Sequence, residues 1–202
     1  MSDTEPTAKE RILEAALEEF AARGYEAAST NAIAAKAHVA KGLVFHHFGS
    51  KEQLLEVLFE REVNRLIELV FAIEGPASAD LFERLHQLSM RKIELARQHP
   101  LTTDFILVAI TEAPPALKAK LAQRQAEFMK TAWPRVVEGL DPSKLATGLT
   151  LMDAIETLTL LSEGLEKQLS ALMKARQLSM VEIAALGWKH FERLRDGLYR
   201  RA

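Results

Sequence analysis

The most constraining feature of the chain is residues 29–51, which carry two short helical patterns separated by only three residues. Ser29 or Thr30 can cap the first helix, and the second runs from about Lys41 to His47. Small and branched apolar residues on one side of each helix can close a core that fixes the angle between them. The second helix then turns its other face outward, which is how a helix is presented to the major groove of DNA.

Helical patterns continue through the rest of the chain. Thr7 with Glu10, and Ser50 with Gln53, form capping boxes in front of apolar stripes at three-and-four spacing, and Gly24 ends the first helix. No run alternates apolar and polar residues as a strand does. We therefore predict an all-α fold of about nine helices. The fourth predicted helix reaches about residue 73. The later helices are predicted at 79–98, at 101–111, at 115–139 with an interruption at Pro134, over about thirty residues that start at Asp141-Pro142-Ser143, and at 180–199.

Charge is distributed unevenly although its sum is small. Lys and Arg number 26 against 28 for Asp and Glu, so the whole chain is not basic. Residues 27–51, however, hold three lysines, three histidines and no acid, whereas residues 1–26 hold seven acids and three bases. A local cationic patch beside an acidic first helix is compatible with nucleic-acid binding.

The remaining composition narrows the class of protein. The chain has no cysteine, and its polar, acidic N-terminus does not resemble a signal peptide. No stretch reaches the ~18 apolar residues of a membrane helix. We therefore expect a soluble cytoplasmic protein that does not bind membranes. Catalytic and phosphate-loop motifs and metal-ligand spacings are not found, so we expect no enzyme, no cofactor and no metal site; the adjacent His46 and His47 cannot share one helix face.

The first 60 or so residues carry an ordered string of motifs: Arg11-Ile12-Leu13-Glu14-Ala15-Ala16, Phe20, Gly24-Tyr25, Thr30, Ile33-Ala34, Val39, Lys41-Gly42, Phe45, His47-Phe48, Lys51-Glu52 and Leu54-Leu55. In this order and spacing they resemble the DNA-binding domain of the tetracycline-repressor (TetR) family of bacterial transcriptional regulators. The resemblance implies an N-terminal helix-turn-helix domain, residues 6–66 with the motif at 29–48, and a larger C-terminal domain for effector binding and dimerisation, residues 67–202.

The chemistry of the exposed residues suggests how DNA would be read. The Lys41 ammonium can reach guanine O6 and N7 or a phosphate, and Leu43 and Phe45 offer apolar contact to thymine methyl groups. Gly42 lets the backbone approach closely. The resemblance implies phosphate contacts for Thr30, His47 and Lys51. The predicted DNA-binding residues are Thr30, Lys41, Gly42, Leu43, Phe45, His46, His47 and Lys51.

Three positions depart from the family pattern. His38 stands where the family usually has glycine, and it can occupy a left-handed backbone conformation with some strain. Ala40 replaces a serine and cannot cap the second helix of the motif with a hydroxyl. Phe45 replaces a tyrosine and cannot donate a hydrogen bond to a phosphate. We therefore expect fewer phosphate hydrogen bonds than is usual for the family.

The last two helices are the predicted dimer interface. Helix-turn-helix proteins commonly bind two half-sites as two-fold dimers. The eighth predicted helix is apolar nearly all round, with Met152 and Leu160 on one side and Ile155 and Leu158 on another, and such a helix needs partners on both sides. We expect a homodimer in which the last two helices of each chain form a four-helix interface, as is usual in the family.

The resemblance also implies a pocket for a small-molecule effector in the C-terminal domain. Large, adaptable side chains could line it, although such residues are more often ordinary core residues. Trp133-Pro134 is the preferred position, because proline frees a backbone carbonyl inside the helix. An apolar or aromatic effector follows from the lining. The predicted pocket residues are Met90, Phe105, Phe128, Met129, Trp133, Met152 and Glu156, with His86 or Thr103 as further polar contacts.

The sequence thus predicts a DNA-binding repressor that a small effector releases from a palindromic operator of double-stranded DNA. The alternative is a helical protein-interaction module that has lost specific DNA binding, for which Ala40 and Phe45 are the support.

Overall fold

The computed structural model describes residues 5–72, 78–174 and 180–198. Within these ranges it holds nine α-helices, one 3-10 turn at Pro142–Lys144 and no strand, which confirms the all-α fold class. In chain order the helices are α1 (Ala8–Ala27), α2 (Thr30–Lys36), α3 (Lys41–Phe48), α4 (Lys51–Phe71), α5 (Leu81–Gln98), α6 (Pro100–Glu112), α7 (Pro115–Val137), α8 (Leu151–Lys174) and α9 (Met180–Leu198).

The predicted signals at both ends of α1 are present. The Thr7 hydroxyl accepts a hydrogen bond from the Glu10 N–H at 3.3 Å, and the Glu10 carboxylate accepts one from the Thr7 N–H at 2.6 Å. The Thr7 backbone N–H and then its hydroxyl lower the pKa of Glu10. Gly24, at φ 74° and ψ 175°, breaks the helical path before the last residues of α1. The capping box and the glycine stop are therefore confirmed.

The helices fall into two compact units, and the first contains α1 to α4 with α6 and most of α7. Unit 1 consists of the described part of Met1–Glu68 together with Gln98–Thr131. Its core joins α1 to α6: the ring of Phe20 lies 6.2 Å from those of both Tyr25 and Phe105. Phe59 of α4 is equally buried in the same cluster. Burial of several large rings makes this core the main apolar stabilisation of unit 1.

A buried carboxylate adds a polar connection inside unit 1. Glu62 of α4 is fully buried, and its carboxylate accepts hydrogen bonds from the Thr102 hydroxyl at 2.8 Å and the Arg61 Nε at 2.9 Å. Arg61 also forms an ion pair with Glu14 of α1 at 3.0 Å. A buried charge is tolerated only when it is paired and hydrogen-bonded, as here. The network ties α4 to α1 and to the first turn of α6.

Unit 2 consists of Leu69–Arg97 and the described part of Ala132–Ala202. Its buried cluster is Leu81, Phe82, Leu140, Leu145, Ala154, Leu158 and Leu198. The buried Arg84 of α5 donates to the carbonyls of Ser78, Val136 and Glu138 at 2.7, 2.8 and 2.5 Å. Its positive charge therefore lies at the C-terminal end of α7, where the helix dipole is negative.

Two expected helix boundaries are wrong. Asp141 caps only the 3-10 turn, where its carboxylate accepts from the Ser143 N–H at 2.8 Å, and the following Gly148 has φ 89°. Helix α8 starts later, at a capping box in which Thr150 and Asp153 exchange hydrogen bonds. Pro134 does not interrupt α7, which continues through it and ends at Val137.

The compact units do not follow the division expected at residue 66. Helix α6 packs on α1 in unit 1, although it lies in the range 67–202. The functional division into residues 6–66 and 67–202 stays a prediction. Within the described ranges, no helix has both the length and the apolar character that a bilayer crossing requires.

Candidate nucleic-acid interface

Helices α2 and α3 are joined by a tight turn whose backbone is held at three points. The N–H groups of His38 and Val39 donate to the carbonyls of Ala35 and Ala34 at 3.2 and 3.0 Å. Arg11 of α1 donates from Nε to the Ala37 carbonyl at 3.1 Å. His38 has φ 52°, so the predicted left-handed conformation at this position is confirmed. The turn fixes α3 against α1 and α2.

Helix α3 has one buried side and one exposed side. Val44 and Phe48, four residues apart, are buried in the core of unit 1. Phe45 is 41% exposed, which is unusual for so large an apolar side chain. The structure thus places most of the predicted α3 contacts together on the outward side. The exposed residues are Lys41, Gly42, Phe45, His46 and His47, and Leu43 is half-buried.

Ala40 occupies the N-cap position of α3 and makes no side-chain hydrogen bond there, as expected from the sequence. The first turn of α3 therefore lacks a hydroxyl cap. His46 and His47 lie edge to face with ring centroids 5.4 Å apart. Among the described residues, no three His, Asp or Glu side chains lie together in a way that could hold a metal ion.

Gly42 is not required by the packing of the free protein. A Cβ placed on it would meet no other atom within 4 Å, and its φ is not positive. In the middle of a helix glycine costs about 0.5–1 kcal/mol relative to alanine. A glycine that neither packing nor backbone conformation demands is consistent with a close approach by a molecule from outside.

Lys51, at the start of α4, is already held in place by its own protein. Its ammonium donates to the Glu26 carbonyl at 3.1 Å and lies 4.7 Å from the centroid of the Tyr25 ring. Tyr25 in turn donates from its hydroxyl to Glu52 at 2.8 Å. The sequence predicts Lys51 as a phosphate contact but does not show this support, because Glu26 and Tyr25 belong to the end of α1.

The Tyr25–Glu52 hydrogen bond also shifts both pKa values. Burial, and then the hydrogen bond to Glu52, raises the pKa of the Tyr25 phenol. The backbone N–H of Glu52 itself, followed by the hydroxyls of Tyr25 and Ser50, lowers the pKa of the Glu52 carboxyl. At neutral pH this pair therefore consists of a neutral phenol and a carboxylate beside the Lys51 ammonium.

The start of α2 differs from the expectation in one detail. Ser29 is the N-cap residue, but its side chain makes no capping hydrogen bond; its N–H donates to the Glu19 carboxylate at 3.1 Å. Thr30 is half-buried, whereas Asn31 beside it is exposed. Carboxamides pair with adenine edges, so Asn31 belongs among the candidate contacts. The sequence signals that indicate such a contact are the polar side chain of Asn31 and its position in the first turn of α2.

The predicted pocket residues are spread over both units. Phe105 is fully buried against Phe20 in unit 1, which makes it a core residue. Met90 and Met152 of unit 2 are 52% and 70% exposed. Phe128 and Trp133 are half-buried and Glu156 is exposed, while the side chain of Met129 lies outside the described residues. The ligand-pocket assignment stays a prediction.

One aromatic contact in unit 2 involves a residue proposed only as a secondary polar contact. The rings of His86 on α5 and Trp188 on α9 lie 4.6 Å apart, and Trp188 donates from Nε1 to Glu192 at 3.0 Å. The sequence does not predict this pair, because α5 and α9 lie far apart in the chain. It joins the two helices and is part of the packing of unit 2.

A short helix anchored by Val44 and Phe48, with a lysine and two histidines facing outward after a tight turn, defines a helix-turn-helix DNA-binding protein. Comparison with known proteins gives the same class. The family model described as bacterial regulatory proteins of the tetR family matches residues 12–58, from the first turns of α1 into α4.

Two curated relatives and one solved structure extend this match. The HTH-type transcriptional regulator YvkB of Bacillus subtilis (strain 168) is 30% identical over 132 residues, 62% of this chain and 67% of YvkB. The HTH-type transcriptional repressor Rv3405c of Mycobacterium tuberculosis (strain ATCC 25618 / H37Rv) is 41% identical over 83 residues, 39% of this chain and 43% of that relative's length.

The crystal structure of the transcriptional regulator FadR from Bacillus subtilis in complex with stearoyl-CoA has a TM-score of 0.61 to this chain at 17% identity. The alignment covers 94% of this chain and 98% of FadR. Similarity at this level of identity shows the fold. Together with the match to YvkB and to the family model, it establishes that the chain belongs to the TetR family of DNA-binding transcriptional regulators.

Proposed function

We propose that the protein is a repressor that binds a palindromic operator as a homodimer and is released by a small apolar or aromatic effector. The observation that carries the proposal is the outward side of α3, where Lys41 and its neighbours are exposed while Val44 and Phe48 fix the helix. A helix held in this way can enter a major groove without rearranging its own core.

The exposed residues suggest a division of roles at the DNA. Lys41, in the first turn of α3, reads a base edge, and Leu43 and Phe45 contact thymine methyl groups. Thr30, His47 and Lys51 contact phosphates, which sets register and orientation and carries no sequence information. His46 completes the exposed side. The contact to bases and the contact to phosphates are therefore made by different residues.

Exposed apolar side chains on α8 support the homodimer. Met152 and Leu160 are 70% and 64% exposed, and they lie eight residues apart with Glu156 between them, which places all three on one side of the helix. Leu186 of α9 is also exposed. The side chains of Leu165, Leu169, Leu172 and Ile183, which belong to the predicted interface, lie outside the described residues.

We propose an apolar or aromatic effector from the chemistry of the predicted lining residues. The lining predicted from sequence is rich in methionine and aromatic residues, which adapt to apolar ligands. FadR, which shares the fold, is described in complex with stearoyl-CoA, a ligand with a long apolar chain. Trp133 in unit 2 remains the preferred lining residue, whereas Met152 and Glu156 lie on the exposed side of α8 that we propose as the dimer surface.

A second candidate function is a helical protein-interaction module without specific DNA binding. The uncapped N-terminus of α3 at Ala40 and the exposed Phe45 favour it, because both reduce hydrogen bonding to phosphates and one adds apolar surface. We propose a cytoplasmic location for the protein under either candidate function, so location does not separate the two. Selectivity among DNA sequences separates them.

The deciding experiment is selection of DNA from a random pool by the purified chain, followed by sequencing. The proposed repressor enriches one palindrome with two half-sites about one helical turn apart, or a multiple of it. Enrichment of no sequence would favour the interaction module instead. Light scattering on the same sample gives the mass of the free protein, for which we expect twice 22.6 kDa.

A variant tests the dimer surface separately. Leu160→Lys places a charge on the exposed side of α8, which a second copy would bury. We expect the variant to keep its helix content and to become a monomer with weak operator binding. Ala122→Lys adds the same positive charge at an exposed position of α7 and is the matched control. A Leu160→Lys variant that remains dimeric would contradict the proposed interface.

A further inference from the structure

We propose that Glu112, the last residue of α6, is a positioning residue that holds Lys51 ready for its phosphate contact, acting through Tyr25. The inference rests on the proposed function, because it assigns a role in DNA binding. All three residues lie in unit 1, although 87 positions separate Tyr25 from Glu112 in the chain.

The first connection is made at the break in α1. Gly24 leaves the helical path with φ 74°, so the next N–H, that of Tyr25, departs from the helical ladder. It donates instead to the Glu112 carboxylate at 3.1 Å. A Cβ on residue 24 would collide with the same carboxylate oxygen. Glycine at this position therefore both permits the break and leaves room for Glu112.

The second connection runs through the Tyr25 side chain. Its hydroxyl donates to Glu52 at 2.8 Å, and its ring lies 4.7 Å from the Lys51 ammonium, within the range of a cation–π interaction. The Glu26 carbonyl accepts one Lys51 hydrogen bond at 3.1 Å. The backbone position of Tyr25, which Glu112 fixes, thereby determines where the ring and the ammonium lie.

This arrangement leaves Lys51 competent to bind an anion. A lysine ammonium has three N–H donors, and the Glu26 carbonyl uses one of them. A free lysine side chain loses much rotamer freedom when it is ordered by a ligand, and ordering it in advance removes that cost from binding. Lys51 also lies in the first turn of α4, where the positive end of the helix dipole favours a phosphate.

Two effects of Glu112 on DNA binding have opposite signs. Its negative charge repels DNA, so removing the carboxylate would by simple electrostatics strengthen binding to any duplex. Its hydrogen bond to Tyr25 supports Lys51, so removing it would weaken binding and eliminate a phosphate contact. The measured direction of the change decides which effect dominates, and our proposal requires the second.

The test measures the affinity of the full chain for its selected operator over a series of salt concentrations. The log-log slope counts neutralised phosphates at about −0.9 each. We expect Glu112→Ala to weaken binding several-fold and to make the slope shallower by up to about 0.9 per subunit, as Lys51→Met does. Glu112→Gln keeps an oxygen that can accept from the Tyr25 N–H, so it should retain the wild-type slope.

The double variant separates positioning from an independent effect. In a Lys51→Met background, Glu112→Ala should no longer weaken binding or make the slope shallower, because the residue it positions is gone and only the repulsion between Glu112 and DNA remains to be removed. The control is Glu127→Ala, which removes an exposed carboxylate from α7 and should leave the slope unchanged. Circular dichroism at each salt concentration gives the folded fraction of every variant, so that partial unfolding is separated from a change in slope.

The outcomes of these measurements separate failure of the positioning role of Glu112 from failure of the proposed function. Effects of Glu112→Ala and Lys51→Met that multiply in the double variant, or stronger binding by Glu112→Ala, would overturn the positioning role while the proposed function stands. A wild-type protein whose binding is independent of salt and sequence would instead overturn the proposed function. The measurement on the wild-type protein alone reveals that failure before any variant is made.

Discussion

The two compact units differ in how fully they cover their large apolar side chains. In unit 1, Phe20, Phe59 and Phe105 are enclosed by α1, α4 and α6. In unit 2, α8 leaves Met152 and Leu160 largely exposed. Unit 1 therefore buries its large rings within one chain and leaves the outward side of α3 exposed. The apolar surface on α8 has the character of an interface that a single chain does not cover.

The largest expected effect tests this contrast directly. Phe20→Ala removes a fully buried ring and should lower the free energy of unfolding by about 3–5 kcal/mol. The unfolding midpoint of the wild-type dimer should rise with protein concentration, and Leu160→Ala should reduce that rise because it weakens association. Urea denaturation at two protein concentrations measures both. A large, concentration-independent loss in Leu160→Ala would show that this side chain belongs to the core of unit 2.

The second prediction concerns the outward side of α3. Lys41→Ala should reduce discrimination between the operator and random DNA by about 5- to 150-fold for each half-site, the equivalent of one base contact worth about 1–3 kcal/mol in each subunit. Lys51→Ala should weaken binding to both duplexes alike, because phosphates are the same in every sequence. Fluorescence anisotropy with the two duplexes distinguishes the roles. Equal losses on both duplexes in both variants would contradict them.

Gly42→Ala should separate stability from DNA binding. Nothing within 4 Å opposes the added methyl group, so the free energy of unfolding should stay constant or rise by up to about 1 kcal/mol. If DNA approaches the backbone at this point, operator affinity should fall several-fold. Thermal unfolding and anisotropy measure the two quantities. Wild-type affinity in this variant would show that Gly42 is not in close contact with DNA.

The smallest effect is a pH dependence within unit 1. The pKa of Tyr25 is raised in the folded protein, so its hydrogen bond to Glu52 contributes fully to the free energy of unfolding at every pH below the unfolded pKa of about 10. This contribution is lost only as the pH rises through the higher folded pKa. The wild type and Tyr25→Phe should therefore show equal tyrosinate absorbance at about pH 10–11. An excess of one tyrosinate in the wild type there would contradict the buried hydrogen bond.

Local signals predict the N-terminal helices well. The capping box of Thr7 and Glu10, the stop at Gly24 and the left-handed His38 all depend on residues within a few positions of one another. The outward set on α3 follows from the same kind of pattern, because burial of Val44 and Phe48 decides which residues face away. These features could be predicted from the sequence because their causes are local.

Features that depend on distant residues could not be predicted in this way. The start of α8 at Leu151 reflects a choice between two possible caps, Asp141 and Thr150, and the intervening Gly148 allows the chain to turn between them. The packing of α6 on α1, and the Tyr25–Glu112 hydrogen bond, join segments far apart in sequence. No periodicity or spacing encodes such pairs.

The central claim, that α3 reads DNA from a completed unit 1, is tested most directly by salt titration of binding to the selected palindrome and to a random duplex of the same length. The account predicts that affinity falls steeply with salt on both duplexes, with a log-log slope of about −0.9 per phosphate neutralised, and that the palindrome stays preferred throughout. Binding that is equally strong on both duplexes, or insensitive to salt, would contradict it.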